Sequence, residues 1–479
     1  MTPEFIAFHA VERPSAVALV NEGREITYAE FVRAIPKFTR ALREFGLPRG
    51  ARVAIGCEDA YFHWLLRIGC EELGLVAASL PASTPGSWPF LGDFDLILSG
   101  ADLSSESLSR CRHAAPDWLE GILAGPDVSE EPPRWADSPD DPMRMAYTSG
   151  TTGTPKKLLF SRRNHENSIA KAMWINAFTQ RSRNLLAMPF TVAGAYTNAT
   201  ACLRCGGTVV VESRMTLEQA ITLHAITHTT LAPISVKSLL DGLSNAFEKP
   251  AELTIVSWGA PISRPLRERV LARLATDLCD LYGSNEAADV CSTRGTAELG
   301  SVLPKVEVEI VDESHRPLPF GEVGQIRVKT DCMVDDYLDD PETTRRKFRD
   351  GWFYAGDLGI LHGARHLQYI GRSDDLLNIG WRKLLPSALE ELVLQSVDVG
   401  DVGVCSLPDA DGIEEICVVL SDARCGDREL VDQITKAFRR FQLGQFHTIK
   451  TDRIPRNANG KIERARLKRS AAEWIRERR

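Results

Sequence analysis

Residues 147–157 run Tyr147-Thr148-Ser149-Gly150-Thr151-Thr152-Gly153-Thr154-Pro155-Lys156-Lys157, which puts hydroxyls, glycines and two lysines into one loop. Those residue types suit a polyphosphate. Glycine lets the backbone approach a ligand closely, and successive N–H groups form an anion-binding nest. Hydroxyls add donors and the lysines add positive charge. The loop is not a Walker A loop, because no Gly-Lys-Ser/Thr follows Gly150 at the required spacing. A plain Ser/Thr/Gly linker would explain neither the apolar run 143–147 ahead of it nor the lysines behind it. A nucleotide reaction could also use carboxylates and further cations elsewhere in the chain. Taken singly, each is an ordinary solvated surface charge.

The surrounding pattern supplies the elements that would position them. Residues 53–56, 75–80 and 96–98 are short apolar strands, with a helical run at 61–73 and a Pro/Gly/Ser-rich stretch at 81–89. This β-α-β rhythm predicts parallel sheets covered by helices. Residues 126–142 predict an exposed connection, 216–227 an amphipathic helix and 253–258 a buried strand. From residue 299 the texture changes. Residues 306–311 and 325–328 alternate apolar and polar, separated by Pro317, Pro319, Gly321 and Gly324. That is antiparallel chemistry and predicts a small barrel-like, β-rich subdomain over about 299–370. A boundary near 371–375 divides an N-terminal domain, 1–372, from a small α+β domain, 373–479. The fold class expected is α/β.

The phosphate-type loop closely resembles the signature of the adenylate-forming (ANL) superfamily: acyl- and aryl-CoA synthetases, nonribosomal peptide adenylation domains and luciferases. The resemblance recurs in order along nearly the whole chain. Trp258-Gly259-Ala260-Pro261 resembles the segment lining the adenine and acyl pocket. Tyr282-Gly283-Ser284-Asn285-Glu286 resembles a motif whose Tyr stacks near adenine and whose Glu helps hold magnesium. Gly351-Trp352-Phe353-Tyr354-Ala355-Gly356-Asp357 resembles the segment whose Asp binds the ribose hydroxyls. Gly371-Arg372-Ser373-Asp374-Asp375 resembles the hinge, with Arg372 at the ribose and Asp374 at the pivot. Pro455-Arg456-Asn457-Ala458-Asn459-Gly460-Lys461 resembles the loop carrying the catalytic lysine.

The resemblance implies a first step in which a carboxylic acid and MgATP give acyl-AMP and pyrophosphate. Two anions must meet, so the barrier is largely electrostatic and positional. Lys461 would offset charge on the attacking and phosphate oxygens, and Mg²⁺ held by Glu286 would neutralise the departing pyrophosphate. It also implies rotation of the C-terminal domain about Asp374, bringing the Gly380-Trp381-Arg382-Lys383 loop to the acyl-adenylate for transfer. CoA is the first acceptor expected, with a carrier-protein phosphopantetheine thiol or an amine as alternatives. A kinase or hydrolase forming ADP, and a non-catalytic nucleotide-binding protein, are the readings from other classes. The absence of a Walker loop and the presence of Lys461 count against the first, and the retained Glu286, Asp357, Arg372 and Lys461 against the second.

Three departures from the family pattern bear on the substrate. Asn285 replaces a Thr, Lys157 replaces a Gly, and the segment Met188-Pro189-Phe190-Thr191-Val192-Ala193-Gly194 lacks the His that many CoA synthetases carry near Val192. Amino-acid-activating members place an Asp near Thr191. Thr191 cannot balance an ammonium, and an unpaired charge in an apolar pocket is costly, so an α-amino acid is not expected. Phe190, Thr191, Val192 and Trp258 predict a pocket for an apolar or aromatic acid.

Bulk properties set limits. The 479 residues exceed what one core usually organises. With 57 Lys plus Arg against 65 Asp plus Glu, the net charge of −8 argues against dedicated nucleic-acid binding. No apolar stretch suggests a membrane span, and the first residues lack a basic, signal-like start, so a cytoplasmic location is expected. Cys202 and Cys205 form a lone C-x-x-C, favoured as two thiols on a helix. His224 and His228 sit four apart on an expected helix, but Ala225 stands where a metalloprotease motif has Glu. No dinucleotide Gly-x-Gly-x-x-Gly fingerprint opens the early helices.

Overall fold

The computed structural model describes residues 1–82, 91–101, 111–128, 138–148, 155–375, 377–379, 382–408, 414–424, 426–439, 443, 446–457 and 460–478. Two large sheets carry most of the chain. In the first, strands Asp277–Ser284, Thr254–Ser257, His228–Leu231, Arg183–Leu185, Thr208–Val211 and Val17–Asn21 lie side by side and parallel. The second centres on parallel strands Pro142–Thr148, Val76–Ser79, Arg52–Gly56, Leu96–Ser99 and Cys111–His113. Arg52–Gly56, Leu96–Ser99 and Thr208–Val211 are short and almost wholly buried, as apolar parallel strands beneath helices must be, whereas the edge strand Cys111–His113 is largely exposed.

Helix Ala60–Glu72 shows how deeply the layers interleave. Asp59 caps it by accepting from the Phe62 N–H, and all thirteen of its residues are buried. Arg67 is buried because its guanidinium lies 3.7 Å from the Tyr196 ring centroid and donates to Ser79. Helix Tyr28–Arg43 begins with a capping box between Thr27 and Glu30 and buries Phe31, Ile35, Phe38 and Leu42 on one face.

Beyond the Asp277–Ser284 strand the first sheet turns antiparallel, through Ala288–Arg294, Gly300–Val302, His366–Arg372, Trp352–Leu361, Val323–Thr330 and Val306–Val311. Val306–Val311 and Val323–Thr330 contain the two period-two segments expected at 306–311 and 325–328. The curl brings Val306–Val311 back beside Gly300–Val302, but no ladder among the described residues closes a barrel. The pair Tyr337–Leu338 leaves this group and joins the second sheet against Leu158 and Lys157. That crossing ties the β-rich segment to the strand leaving the phosphate-type loop.

Residues from 377 onward build their own apolar clusters around a three-stranded sheet, Asp401–Pro408, Glu414–Ser421 and Phe446–Thr451. Helices Pro386–Ser396 and Asp427–Phe438 contribute to one cluster and Arg464–Arg478 to the other. Among the described residues no helix is long and apolar enough to cross a membrane.

The helix expected over 216–227 is shorter than its pattern suggested. It spans Leu217–Leu223, because Ala225 adopts a φ of 47° and the chain turns into strand His228–Leu231. His224 and His228 therefore do not share a helical face. His224 pairs with Glu212 at 3.0 Å, and His228 lies 3.0 Å from the Asn176 carbonyl oxygen. Cys202 is buried in helix Ala193–Arg204, and Cys205 follows as its C-cap.

Candidate active site

In open α/β sheets, ligands bind beyond the carboxyl ends of parallel strands. Leu231, Ser257 and Asp280 are neighbours in register, and Leu185 pairs with Thr229 one strand further. The segments leaving these ends are 186–194, 232–234, 258–262 and 282–286. They include the Trp258 and Tyr282 motifs and the segment bearing Thr191 and Val192. One sheet edge therefore gathers pieces of sequence nearly a hundred residues apart.

The Asp277–Ser284 strand shifts register after Tyr282 and returns past Ser284 as the antiparallel Ala288–Arg294. A Cβ at Gly283 would sit 2.4 Å from the Ala288 carbonyl oxygen, so this return admits only glycine. The Tyr282 hydroxyl donates to Asp357 Oδ2 at 2.7 Å, and Arg372 Nη1 meets Asp357 Oδ1 at 3.2 Å. Asp357 and Arg372 face each other across strands Trp352–Leu361 and His366–Arg372. The Tyr282 and Tyr369 rings pack at 5.1 Å. Burial, and then the Asp357 charge, push the Tyr282 phenol well above its usual range, so it stays a donor.

Lys461 reaches the same place from the C-terminal residues. Its loop is a narrow hairpin: Arg456 bridges Ile462, the Lys461 N–H donates to Asn457 Oδ1 at 3.0 Å, and Arg456 clamps Asp401 with two bonds of 3.0 and 2.8 Å. Gly460, at a φ of 75°, presses on the start of helix Pro233–Gly242, just past the end of strand His228–Leu231. A Cβ there would lie 2.9 Å from Ile234 Cγ2 and 3.1 Å from the Ala232 Cβ. The docked ammonium is held below the ordinary lysine range by burial first and by Arg372 second, with Asp357 and Asp375 opposing. Tyr282, Asp357, Arg372 and Lys461, spread over 180 residues of sequence, thus share one corner.

On the phosphate side, Thr148 ends its strand half-buried, whereas Ser149, Gly150, Thr151, Thr152 and Gly153 lie outside the described residues. Lys156 stands with its ammonium 4.8 Å from the Tyr337 ring centroid, and the Tyr337 hydroxyl donates to Glu286 Oε1 at 2.7 Å. Tyr337 carried no motif signal. It becomes a neighbour of Glu286 because the chain passes that residue at Val334, whose N–H donates to the Glu286 carbonyl at 2.9 Å, before crossing to the second sheet. Lys157, read from sequence as added charge, pairs with Asp93 and Asp339 at 2.9 Å each. Its charge is balanced by carboxylates.

Mg²⁺ is commonly held by one or two carboxylates together with substrate phosphates. Glu286, oriented by Tyr337 and adjacent to Lys156, is a donor of that kind and fits the ion. Removing the Tyr337 hydroxyl should therefore loosen Glu286. Tyr337→Phe is expected to raise the Mg²⁺ concentration for half-maximal activity about tenfold, from the usual worth of a hydrogen bond to a charged group. A Mg²⁺ titration checks this, and an unchanged midpoint would mean that Tyr337 does not orient the carboxylate.

The acid-side residues divide. Phe190 is only 6% exposed and packs against Trp64, His63 and Tyr196 at ring distances of 4.9–5.3 Å. Its ring packs as a core side chain. Thr191 and Val192 are half-buried just before helix Ala193–Arg204, with Val192 as its N-cap. Trp258 is half-buried, and Gly259 follows with a φ of 90°, then Ala260 half-buried and Pro261 exposed. Asn285 is exposed on the return ahead of Glu286. Asp374 belongs to the short 3-10 turn Ser373–Asp375, where Ser373 Oγ donates to the Gly356 carbonyl at 2.8 Å. The Asp374 side chain, Gly380 and Trp381, and the Arg382 and Lys383 side chains, lie outside the described residues.

The family model for the AMP-binding enzyme matches residues 95–338, half of the chain. The chain belongs to the AMP-binding enzyme family. It is an AMP-forming acid ligase of the adenylate-forming superfamily, and its relatives match it from end to end. A fatty acid–[acyl-carrier-protein] ligase, ScoC, from Streptomyces coeruleorubidus is 26% identical, covering 96% of this chain and 95% of its own. An indoleacetate–CoA ligase from Aromatoleum aromaticum is 24% identical, covering 96% of each. ATP-bound MatB from Rhodopseudomonas palustris has the same fold, with a TM-score of 0.85 at 23% identity over 98% of this chain and 99% of that one. In this AMP-binding enzyme, Asp357, Arg372 and Lys461, which lie beyond the C-terminal end of the family match, converge on the Tyr282 corner inside it.

Proposed function

We propose that this AMP-binding enzyme activates a small-molecule carboxylic acid, apolar or aromatic and not an α-amino acid, and passes the acyl group to CoA. The observation carrying this reading is the Lys461 hairpin, docked on the sheet edge beside Asp357, Arg372 and Tyr282. In this reading a carboxylate oxygen of the acid attacks the α-phosphorus of ATP, the bond to the bridging oxygen breaks, and pyrophosphate leaves with that electron pair. Lys461 offsets the charge gathering on the α-phosphate oxygens, in a site where burial strengthens the interaction. Asp357 accepts from the ribose hydroxyls, because each carboxylate oxygen keeps lone pairs beyond those used by Tyr282 and Arg372. Lys156, with the loop 149–154, holds the outer phosphates. Mg²⁺ on Glu286 would supply charge neutralisation to the departing pyrophosphate.

Transfer then needs the carbonyl carbon exposed to a thiol. We take residues 373–479 to turn about Asp374, withdrawing Lys461 and opening the edge that Gly460 covers. The thiolate attacks the acyl carbon and AMP leaves. A phosphopantetheine thiol on a carrier protein would need the same geometry, and an amine would give an amide by the same displacement.

The test is acid-dependent release of pyrophosphate and AMP from MgATP across short-chain, long-chain, aryl and amino acids, with hydroxylamine trapping the adenylate. AMP with a hydroxamate from an aryl or apolar acid is expected. Adding CoA, a phosphopantetheinylated carrier protein or an amine in parallel then identifies the acceptor. Production of ADP, or amino acids as the preferred substrates, would overturn the reading.

A further inference from the structure

Trp258 leaves the Thr254–Ser257 strand at the same edge on which Gly460 docks, and its indole extends across to helix Ala193–Arg204. The contact there is backbone-close. A Cβ on Gly194 would lie 1.7 Å from Trp258 Cζ3 and 1.8 Å from Cη2, so the far edge of the ring stands on the bare Gly194 backbone. One helical turn further on, Asn198 braces the Gly194 backbone. Asn198 donates to the Gly194 carbonyl at 3.0 Å and accepts from Asn176 at 2.7 Å, and both amides are 5% exposed. The indole therefore bridges from strand to helix at Gly194, against a backbone held by two buried amides, and the ring itself is half-buried.

We propose that Trp258 is the end wall of the acid site and limits this enzyme to compact acids, short-chain or single-ring, while excluding long chains. This rests on the acid site proposed above. Gly194 is the other half of the device: only a residue without a side chain lets the indole reach the helix. A flat apolar wall also favours a planar acid, which can pack against the ring face.

The test is a ladder of straight-chain acids from butyrate to dodecanoate, with benzoate and biphenyl-4-carboxylate, read as hydroxamate formation. For the unaltered enzyme kcat/KM should peak early in the ladder and be far higher for benzoate than for the biphenyl acid. In Trp258→Ala the peak should move to longer acids, gaining about fourfold per added methylene that becomes buried. Trp258→Phe should move it less, and serves if the alanine variant does not fold. Gly194→Ala alone should weaken activity on benzoate, and combination with Trp258→Ala should restore it, because the colliding ring is gone. An unaltered enzyme that handles dodecanoate as well as butyrate overturns the wall. So does a ladder left unmoved in folded Trp258→Ala or Trp258→Phe. A chain that forms no AMP with any acid instead defeats the underlying functional reading.

Discussion

Lys461→Ala is expected to lower the adenylation rate by about 10²–10³-fold or more, the usual cost of removing a preorganised transition-state donor. ATP binding should persist, because Tyr282, Asp357 and Arg372 hold the nucleotide corner without the lysine. Acyl transfer from supplied acyl-AMP should also persist, since that step runs with the Lys461 hairpin withdrawn. The sign of the pH dependence follows from the environment of the ammonium. Burial, then Arg372, favour the neutral amine, so Lys461 loses its proton below the ordinary value of 10.5. The kcat/KM for adenylation should therefore fall on an alkaline limb that starts below that value, because this parameter reports the free enzyme. The limb should be missing when transfer from acyl-AMP is assayed alone. Adenylation at near the unaltered rate in Lys461→Ala would remove the lysine from the chemistry.

Asp357→Ala should act on the nucleotide. The carboxylate holds the Tyr282 hydroxyl at 2.7 Å and Arg372 at 3.2 Å, and is 7% exposed. Losing it removes the proposed ribose acceptor and the partner of both neighbours at once. A fall of about 10²-fold in kcat/KM for ATP is expected, from charge-assisted hydrogen bonds worth about 1.5–3 kcal/mol each. The KM for the acid should change much less. Asp357→Asn keeps an oxygen for Tyr282 but not the charge opposite Arg372, so it should fall between the two. Initial rates at varied ATP, with calorimetric ATP binding, separate affinity from chemistry. An unchanged ATP dependence in Asp357→Ala would mean that the ribose is held elsewhere.

The AMP-binding chemistry was legible because its parts are local. Glycines where the backbone must turn or approach a ligand, apolar strands at βαβ spacing and a lysine in a Gly-containing hairpin are properties of short segments. Each survives as a pattern whatever surrounds it. The order of these segments also implied the α/β architecture and the small C-terminal α+β unit. Even the Thr191 argument needed only residue type, because an ammonium requires a charge that threonine lacks.

What only the tertiary structure decided are meetings between segments far apart in the chain. Tyr337 reaches Glu286 across 51 positions because the chain passes Glu286 at Val334 before crossing to the second sheet. Gly460 meets Ile234, and Trp258 meets Gly194, at distances that no periodicity encodes. Phe190 has its ring set against Trp64, His63 and Tyr196. His224 and His228 had helical spacing, but the backbone at Ala225 ended the helix between them. Local sequence sets residue type and short-range conformation. Which faces are covered, and which side chains close on one another, depends on the packing of sheets and helices whose contacts are long-range.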